Sequence, residues 1–475
     1  MSTATRLDHS ILSTYFDARN GGYGMNGGEA SNASTDEHRV ARQLQQLVLD
    51  PPERYVGQQG PEATDSPTPT QVNTPGGTAA ATWDFLSNAA QMFGRPAEIS
   101  EVTQADMARG IDVQGYRWSG CEPQRRMYME YRREVYPQYQ GVPHDVQTVR
   151  KQARCVDNTH EYFRLRYSVT GDKSRCKVSH FQLRDLVWAT SSYDVFYWHA
   201  DGVQQWDPWR RRHTSVLARS SLPDAFRLSA LCVDAGVVFA GDYQGRICAK
   251  SLWGEGSVAE ARLGADMVTH ATPTGRGISV ARNSGRVDLV NVERMEATES
   301  ALFEWPVNCT AEAASGAFGC VVGDSLQALV VDPRQGLAAV APLQGHLDHA
   351  FTCAISPDER LVATGSQDSS VRVYDVRWPR VPVAVLCGYL GAMRHVRFSS
   401  CGGFLLAAEP ADYVHVYETG LFERAQDVEF MGEVAGAAFS PDANCLFVAI
   451  SDAVHENALA EYTRIVPADD STYWL

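Results

Sequence analysis

The sequence predicts an all-β fold of repeated four-stranded antiparallel sheets arranged in a ring, and two observations support that prediction. The stretch 345–375 contains three short β-rich runs separated by Pro-Asp and Gln-Asp-Ser turns: 351–355, 361–364 and 371–374. Such turns suit tight antiparallel connections. Ser356, Ser399 and Ser440 each open a turn after an apolar strand, and they stand 43 and 41 residues apart. A period of roughly 40 to 45 residues is typical of the blades of a β-propeller.

Polar residues at fixed points of the same stretch refine this prediction. It carries Gly345-His346, then Thr364-Gly365-Ser366-Gln367-Asp368, and then Val371-Arg372-Val373-Tyr374-Asp375. With these motifs the stretch resembles a WD40 repeat. In that family the residues matching His346, Thr364 and Asp368 form a buried hydrogen-bonded network with the aromatic residue of a Trp-Asp pair, a position that Tyr374 occupies here. The resemblance implies a structural network rather than a catalytic triad, because buried polar groups must be hydrogen-bonded.

Seven blades fit between residues 160 and 466. The alternating run 162–169 precedes the first complete blade, and we expect it to complete the last one, so that no strand edge stays unpaired where the ring closes. The first four blades are irregular, the fifth is the stretch described above, and the sixth and seventh follow the turns at Ser399 and Ser440. Strand and turn signals place the first four blades at about 181–206, 226–255, 262–297 and 305–331.

Several motifs are more specific than a general WD40 pattern. They lie at 110–115, 181–190, 305–308, 388–394, 408–417 and 430–436. These motifs resemble an uncharacterised WD-repeat, transducin-like family of plants, fungi and protists, over about 105–466. The resemblance implies a seven-bladed scaffold and no particular reaction. Ser451-Asp452 stands where that family has a Trp-Asp pair, so we expect the inner turn of the final blade to differ.

The first 104 residues are expected to form a largely disordered extension, because 20–33 and 51–81 are rich in Gly, Pro, Ser, Thr and Asn. Apolar spacing within it predicts short helices at 36–49 and 83–93. The segment 105–159 then leads into the propeller, with arginines interleaved with tyrosines. Over 109–177 this pattern suits either stacking on RNA bases or docking on the outside of the ring through ion pairs. Residues 467–475 form a C-terminal tail.

The composition excludes several classes of function. A net charge of -15 argues against a general affinity for nucleic acid or anionic lipid. Eleven cysteines without a CxxC pair or zinc-finger spacing predict small buried thiols, and neither a metal nor a cofactor is expected. There is no apolar run of membrane-spanning length, so a cytoplasmic or nuclear protein is expected.

We therefore predict a non-catalytic scaffold for protein partners, since loops on a rigid ring are where binding residues usually lie. A closed ring needs no second copy to protect its edges, so a monomer is expected. No phosphate-binding loop, metal motif or nucleophile elbow indicates an enzyme. The protein-binding candidates at strand entries and turns are Trp305, Asn308, Arg394, Glu409, Asp412 and Glu433. For Glu409 and Asp412 the alternative is a solvated carboxylate and a turn cap.

Two sharper alternatives remain open. Tyr374-Asp375-Val376-Arg377 resembles the aromatic-Asp-x-Arg box by which WD40 substrate receptors dock on the adaptor of cullin-4 ubiquitin ligases, which would make Asp375 and Arg377 adaptor-binding residues. RNA binding would instead require the basic run 209–213 to join the basic lead-in on one face.

Overall fold

The computed structural model describes residues 99–118, 122–136, 139–171, 174–180, 182–253, 256–452 and 457–466. The predicted helices at 36–49 and 83–93, the predicted disorder that surrounds them and the tail 467–475 lie outside the described residues.

A lead-in segment precedes the ring. It contains strand β1 (Glu101–Thr103) and helices α1 (Gln104–Met107), α2 (Glu122–Val135) and α3 (Val146–Gln152), and it ends at strand β2 (Phe163–Thr170). Thr103 caps α1 in a reciprocal box with Asp106, and the Asp145 side chain accepts a hydrogen bond from the first turn of α3. Both caps satisfy backbone N–H groups that have no partner inside a helix.

Blades 1 to 5 are separate four-stranded antiparallel sheets. Blade 1 consists of β3 (Val187–Ser191), β4 (Asp194–His199), β5 (Gly202–Asp207) and β6 (Arg212–Ala218). Blade 2 consists of β7 (Leu228–Asp234), β8 (Val237–Asp242), β9 (Arg246–Ser251) and β10 (Ala259–Arg262). Blade 3 consists of β11 (Val268–Thr274), β12 (Gly277–Arg282), β13 (Arg286–Asn291) and β14 (Glu296–Leu302).

Blade 4 consists of β15 (Val307–Glu312), β16 (Gly319–Gly323), β17 (Ala328–Asp332) and β18 (Ala338–Leu343). Blade 5 consists of β19 (Ala350–Ile355), β20 (Leu361–Ser366), β21 (Ser370–Asp375) and β22 (Ala384–Cys387). Short 3-10 turns at Arg219–Ser221 and Pro333–Gln335 lie in the connections.

Blades 6 and 7 are joined through one long strand. Their strands are β23 (His395–Phe398), β24 (Phe404–Ala408), β25 (Ala411–Glu418), β26 (Ala425–Phe439), β27 (Cys445–Ser451) and β28 (Ala458–Arg464). The first part of β26 pairs with β25 as the outer strand of blade 6, and the second part pairs with β27 as the inner strand of blade 7. Gly432 lies at this joint with a φ of 131°, a backbone conformation that favours glycine. The described residues thus form seven blades, which confirms the predicted seven-bladed propeller.

Strand β2 closes the ring. It pairs antiparallel with β28 along its length, from Phe163 opposite Arg464 to Thr170 opposite Ala458, and β1 adds a fifth strand outside it. The segment 162–169, expected from the sequence to complete the last blade, lies at this position. Residues that lie far apart in the chain therefore build one blade, and their pairing removes the strand edges at the junction.

The first four blades extend further than the sequence indicated. Each prediction ended before the outer strand of its blade or part-way along it, and those strands are β6, β10, β14 and β18. Strand β14 shows why, because Glu-Ala-Thr-Glu-Ser-Ala-Leu is exposed along nearly all of its length. An outer strand that faces solvent carries few of the apolar residues from which a strand is predicted.

We call the face with the blade-to-blade connections and the turns between second and third strands the upper face, and the opposite one the lower face. The inner strands surround an axial channel. Phe163 is fully buried where the ring closes, with its ring centroid 5.4 Å from Phe404 and 5.6 Å from Phe439. Strand β2 thereby contributes to the core as well as to the sheet.

Replacing the closing aromatic residue tests this arrangement. We expect Phe163→Ala to lower the free energy of unfolding by about 3–5 kcal/mol, because the substitution leaves a cavity between two blades. Urea denaturation followed by tryptophan fluorescence measures the effect. Tyr193→Ala, at a side chain 53% exposed, is the control and should cost under about 0.5 kcal/mol. A Phe163→Ala cost as small as the control's would contradict the closure by β2.

Candidate functional site

The polar network predicted for blade 5 is present and buried. The two His346 ring nitrogens lie 3.0 Å from Asp368 Oδ2 and 2.8 Å from Thr364 Oγ1. Asp368 also accepts a hydrogen bond from the backbone N–H of Leu347 at 2.9 Å. Burial opposes its negative charge, yet His346 and the Ser370 hydroxyl hold the pKa of Asp368 well below its ordinary value. The network joins the blade-to-blade connection to the strands.

Tyr374 occupies the aromatic position but is bonded differently. Its hydroxyl donates to the backbone carbonyl of Gln344 at 2.9 Å, on the connection just before His346. Burial raises the pKa of this hydroxyl. The tyrosine therefore ties the strand to the inter-blade connection directly, and its position supports a structural role for the group rather than catalysis.

A second buried network in blade 6 surrounds Glu409. This carboxylate accepts backbone N–H bonds from Tyr389, Leu390 and Gly391 at 2.6–3.0 Å, and it lies 2.9 Å from His415 Nε2. A side chain at Gly388 would collide with it, since an added Cβ would lie 2.7 Å from its carboxyl carbon. Glu409 is fully buried. Glu409 holds an inter-blade connection in place. The alternative interpretation of the sequence, a solvated carboxylate, is therefore wrong for Glu409.

His415 lies between two carboxylates. Its Nδ1 is 2.6 Å from Asp427 Oδ1, and Asp427 also accepts a hydrogen bond from the Tyr389 hydroxyl at 2.6 Å. Burial alone disfavours the imidazolium, but Asp427 and Glu409 raise the pKa of His415 to about 10. The ring is therefore charged at neutral pH and links strands β25 and β26 to the connection above them.

The lead-in segment lies on the upper face, and one ion pair fixes it there. The Arg132 guanidinium in α2 donates two hydrogen bonds of 2.6 Å to the two carboxylate oxygens of Asp412. Asp412 is fully buried and has a φ of 66°. Burial opposes the positive charge, but Asp412 raises the pKa of Arg132 overall. Asp412 is thus occupied from within the chain.

Further contacts extend this docking over three blades. Arg125 pairs with Glu429 at 2.9 Å, and Arg133 donates to the Tyr413 hydroxyl at 2.8 Å while lying over its ring. An apolar cluster joins α2 to blades 6 and 7: Tyr116, Trp118, Tyr128, Met129, Leu390, Ala411, Tyr413 and Met431. Over blade 5, Asp348 accepts hydrogen bonds from the backbone N–H groups of residues 141 and 142. The segment therefore covers the upper face of blades 5 to 7.

The axial channel contains a small cavity at its upper mouth. Its volume is about 20 Å³, and inner strands or the residues just before them line it in blades 1 to 6. Polar and ionisable side chains dominate the lining, among them Arg184, Asp185, His270, Asn308, Cys309 and Arg394.

Two arginines at this cavity have different surroundings. Arg184 is 2% exposed and donates to the Glu433 carboxylate at 3.2 and 3.3 Å. Arg394 lies over the Phe351 ring at 4.2 Å and donates through Nη2 to Gln367 at 3.0 Å. Its Nε and Nη1 are buried and have no hydrogen-bond partner in the part of the chain that the structure describes. Burial and the charge of Arg184 lower the pKa of Arg394 to about 9.

Asp185, the next residue after Arg184, also lines the cavity. It accepts from Arg397 at 3.2 Å and lies within 3.5 Å of His270 and His395. Burial opposes its charge, yet Arg397 and the two histidines hold the pKa of Asp185 well below its ordinary range. Cys309 Sγ is 3.6 Å from His270 Nε2. Asp185 is therefore held by side chains of blades 3 and 6.

The remaining sequence candidates are Trp305, Asn308, Arg394 and Glu433, and three of them lie at or beside the axial cavity. Asn308 bridges blades 4 and 5, with Nδ2 donating to Asp324 and to the Ala350 carbonyl at 2.9 and 3.0 Å. Trp305 is half-buried in the connection before β15, and its ring centroid lies 5.3 Å from that of Phe303 with the two rings tilted by 35°. Asn308 and Arg394 reach the axial cavity, and Glu433 joins them through Arg184, which the sequence analysis did not identify as a candidate. Contacts between different blades bring these four residues together, which the sequence of a single strand does not show.

The lower face presents the aromatic-Asp-x-Arg box beside exposed apolar residues. Arg377 donates to Asp375 through two nitrogens at 2.9 and 2.5 Å and remains 63% exposed. We define the rim patch as Trp378, Val381 and Val383 of blade 5 with Leu421 of blade 6, which are 75%, 70%, 42% and 68% exposed. Arg154 donates to the carbonyls of Val383 and Leu421, so the two loops adjoin.

The described ranges contain no cluster of three or more His, Cys, Asp or Glu side chains arranged to hold a metal ion. Within the same ranges no helix has the length and apolar character needed to cross a membrane.

Comparisons with known proteins agree with the fold. Residues 338–375 match the family described as WD domain, G-beta repeat. The crystal structure of the WD40 β-propeller domain of Doa1 superposes with a TM-score of 0.52 and 13% identity, over 64% of this chain and 97% of that domain. An uncharacterised protein of Schizosaccharomyces pombe is 24% identical over 209 residues, or 39% of this chain, and the chain spans 59% of that relative's length. The WD40 resemblance of the sequence is thereby confirmed.

The ion pair that docks the lead-in segment is open to a direct test. We expect Arg132→Ala to lower the free energy of unfolding by about 3–5 kcal/mol, because Asp412 would be left as an unpaired buried carboxylate. Chemical denaturation measures this, and limited proteolysis reports cleavage within 122–136. Arg126→Ala, on the same helix but exposed, is the matched control. Equal behaviour of the two variants would contradict the docking role.

The histidine between two carboxylates predicts a pH dependence. The pKa of His415 is raised from 6.5 to about 10, so its stabilising effect is complete below pH 6.5 and is lost as pH rises toward 10. We expect His415→Gln to destabilise the protein by about 2–4 kcal/mol at pH 6, with a gap to the wild type that narrows toward pH 10. Urea unfolding at pH 6, 8 and 9.5 measures it. His160→Gln serves as the control, and a gap independent of pH would contradict the assignment.

Proposed function

We propose that this WD40-repeat β-propeller acts as a non-catalytic scaffold that binds a protein partner through the rim patch on its lower face. WD40 propellers are generally non-enzymatic, and the fold supports protein interaction in general. One observation carries the choice of surface, namely four large apolar side chains exposed together at adjoining loops. Contiguous apolar surface of this kind marks interaction sites in soluble proteins.

The geometry of the patch suits a preformed docking surface. Trp378, Val381 and Val383 stand in one connection that contains Pro379 and Pro382, which restrict its backbone. The Arg154 guanidinium bridges that connection to the loop of blade 6 through two backbone carbonyls. A surface that is already ordered loses less entropy on binding. Trp378 supplies the kind of large anchor that dominates protein interfaces.

The upper face is less available to a partner. The lead-in segment already covers it over blades 5 to 7, and Glu409 and Asp412 are buried with partners inside the chain. This supports the lower rim, rather than those two carboxylates, as the docking surface.

Docking on a cullin-4 adaptor is the finer form of the proposal. Arg377 is exposed directly beside Trp378, which places a cation and an aromatic residue on one accessible loop. Its pairing with Asp375 holds the guanidinium in one orientation. Both features suit a sequence motif that a partner protein recognises.

RNA binding has less support from the arrangement of charges. Arg125, Arg132 and Arg133 of the basic lead-in are engaged by Glu429, Asp412 and Tyr413. In the second basic run, Arg210 and Arg211 pair with Asp207 and Glu101. Cations that already have partners neutralise fewer phosphates, so fewer counterions are released from the nucleic acid on binding.

The described cysteines are free thiols, which fits the cytoplasmic or nuclear location that we propose.

Affinity purification of the tagged full-length protein tests the rim patch. We expect Trp378→Asp to reduce recovery of the main partner at least tenfold, because a charge replaces the largest apolar side chain of the patch. Trp253→Asp, at a tryptophan 79% exposed on blade 2, is the matched control. Partners retained by Trp378→Asp, or lost equally with the control, would refute the surface. If the partner is the cullin-4 adaptor, Arg377→Ala should lose it as well.

A further inference from the structure

Arg394, at the upper mouth of the axial channel, carries a buried positive charge that no carboxylate of the described residues neutralises in an ion pair. Each carboxylate near the upper channel mouth already has partners: Glu433 accepts from Arg184, Asp185 from Arg397, and Asp348 from the backbone of the lead-in. Arg394 is 6% exposed and forms no ion pair within the described ranges. A guanidinium is protonated throughout the physiological range, so its charge persists in this buried position.

The donors of Arg394 are also incompletely used. Nη2 donates to Gln367, whereas Nε and Nη1 are buried and unpaired within the described part of the chain. Leaving buried N–H groups without acceptors is unfavourable, and native proteins rarely do so without a ligand or a functional reason. Phe351 beneath the guanidinium plane supplies a cation-π contact, but a ring face does not accept the in-plane N–H groups.

The surroundings of these donors are those of a binding cavity. Arg394 and Arg184 both line the space at the channel mouth, and because Arg184 is paired with Glu433, Arg394 supplies the uncompensated charge there. The direction of the Arg394 pKa, lowered by burial and by Arg184, agrees with two cations close together. An anion placed beside Arg394 would be attracted by its charge and would accept the free hydrogen bonds.

The volume of the cavity limits which anions it can hold. A volume of about 20 Å³ is enough for one or two groups the size of a water molecule, because one such group requires roughly 10–15 Å³. The two oxygens of a carboxylate fit this limit, whereas the four oxygens of a phosphate or sulfate exceed it.

We propose that the upper mouth of the axial channel is a binding site for a carboxylate group, which accepts hydrogen bonds from Nε and Nη1 of Arg394. A free small carboxylate and the C-terminal or acidic side-chain carboxylate of a protein present the same chemistry to this site. The site lies on the opposite face from the rim patch and does not depend on the function proposed for that patch.

The test uses the full-length protein with arginine side chains labelled with nitrogen-15. Sodium acetate is titrated while the Nε–H signals are followed by NMR, and the Arg394 signal is identified by its absence in Arg394→Gln. Sodium sulfate at matched ionic strength is the size control. A short uncharged peptide with a free C terminus, compared with its C-terminal amide, distinguishes a protein carboxylate from a free one.

We expect a saturable shift of the Arg394 signal with acetate, with the free peptide, or with both, and little shift with sulfate or the amide. Melting temperatures should rise with the same ligands, and Arg394→Gln should weaken that response at least tenfold while Arg262→Gln, an exposed arginine of β10, should not. Binding of the peptide alone would identify a protein as the source. Binding of acetate as well would include free carboxylates.

Two results would overturn the proposal: no saturable shift of any Nε–H signal with either carboxylate probe, or an acetate response equalled by sulfate. Because the titration of the wild type is sufficient for this decision, the proposal remains testable even if Arg394→Gln does not fold. Trp378→Asp should leave acetate binding unchanged, so the partner-binding proposal for the rim patch and the carboxylate-binding proposal for the channel mouth are tested independently.

Discussion

The pairing of β2 with β28 is the interaction on which the rest of the ring depends. An open array of blades would expose the edge of its first and last sheets, and edges of that kind invite pairing with other chains. Here the strand that removes the edge comes from the segment just before the first blade. The lead-in must therefore run from the ring's upper face, past its outer edge, to the start of β2, and its contacts follow from that route.

The contacts of the lead-in explain the unusual chemistry of blades 5 to 7. Asp412 and Glu409 are buried carboxylates, and each is stabilised by a cation or by several backbone donors rather than by water. Burying such charges is favourable only when they are fully paired. The basic, aromatic segment supplies part of that pairing, which is why an acidic chain carries a run of arginines at this point. Arg125, Arg132, Arg133 and Arg154 of this segment bind residues of the ring.

The surfaces available to a partner are those that the lead-in segment does not cover. The axial mouth combines two guanidiniums in a space too small for a large ligand, whereas the lower rim presents apolar side chains on adjoining loops. The two surfaces differ in chemistry and lie on opposite faces. One ring is therefore able to contact an acidic group and an apolar partner surface without competition between them.

The sequence by itself determined the repeat, the ring and the network of blade 5, because turn residues and strand periodicity act over a few neighbouring residues. His346, Thr364 and Asp368 stand at spacings that one blade dictates, and the structure places them in one network. The ends of the first four blades were not determined locally, since exposed strands such as β14 lack an apolar pattern. Only the tertiary structure decided that Asp412 meets Arg132 and that Arg394 lies beside Arg184. Those pairs are separated by 280 and 210 residues, and their meeting depends on ring closure and on the path of the lead-in across it.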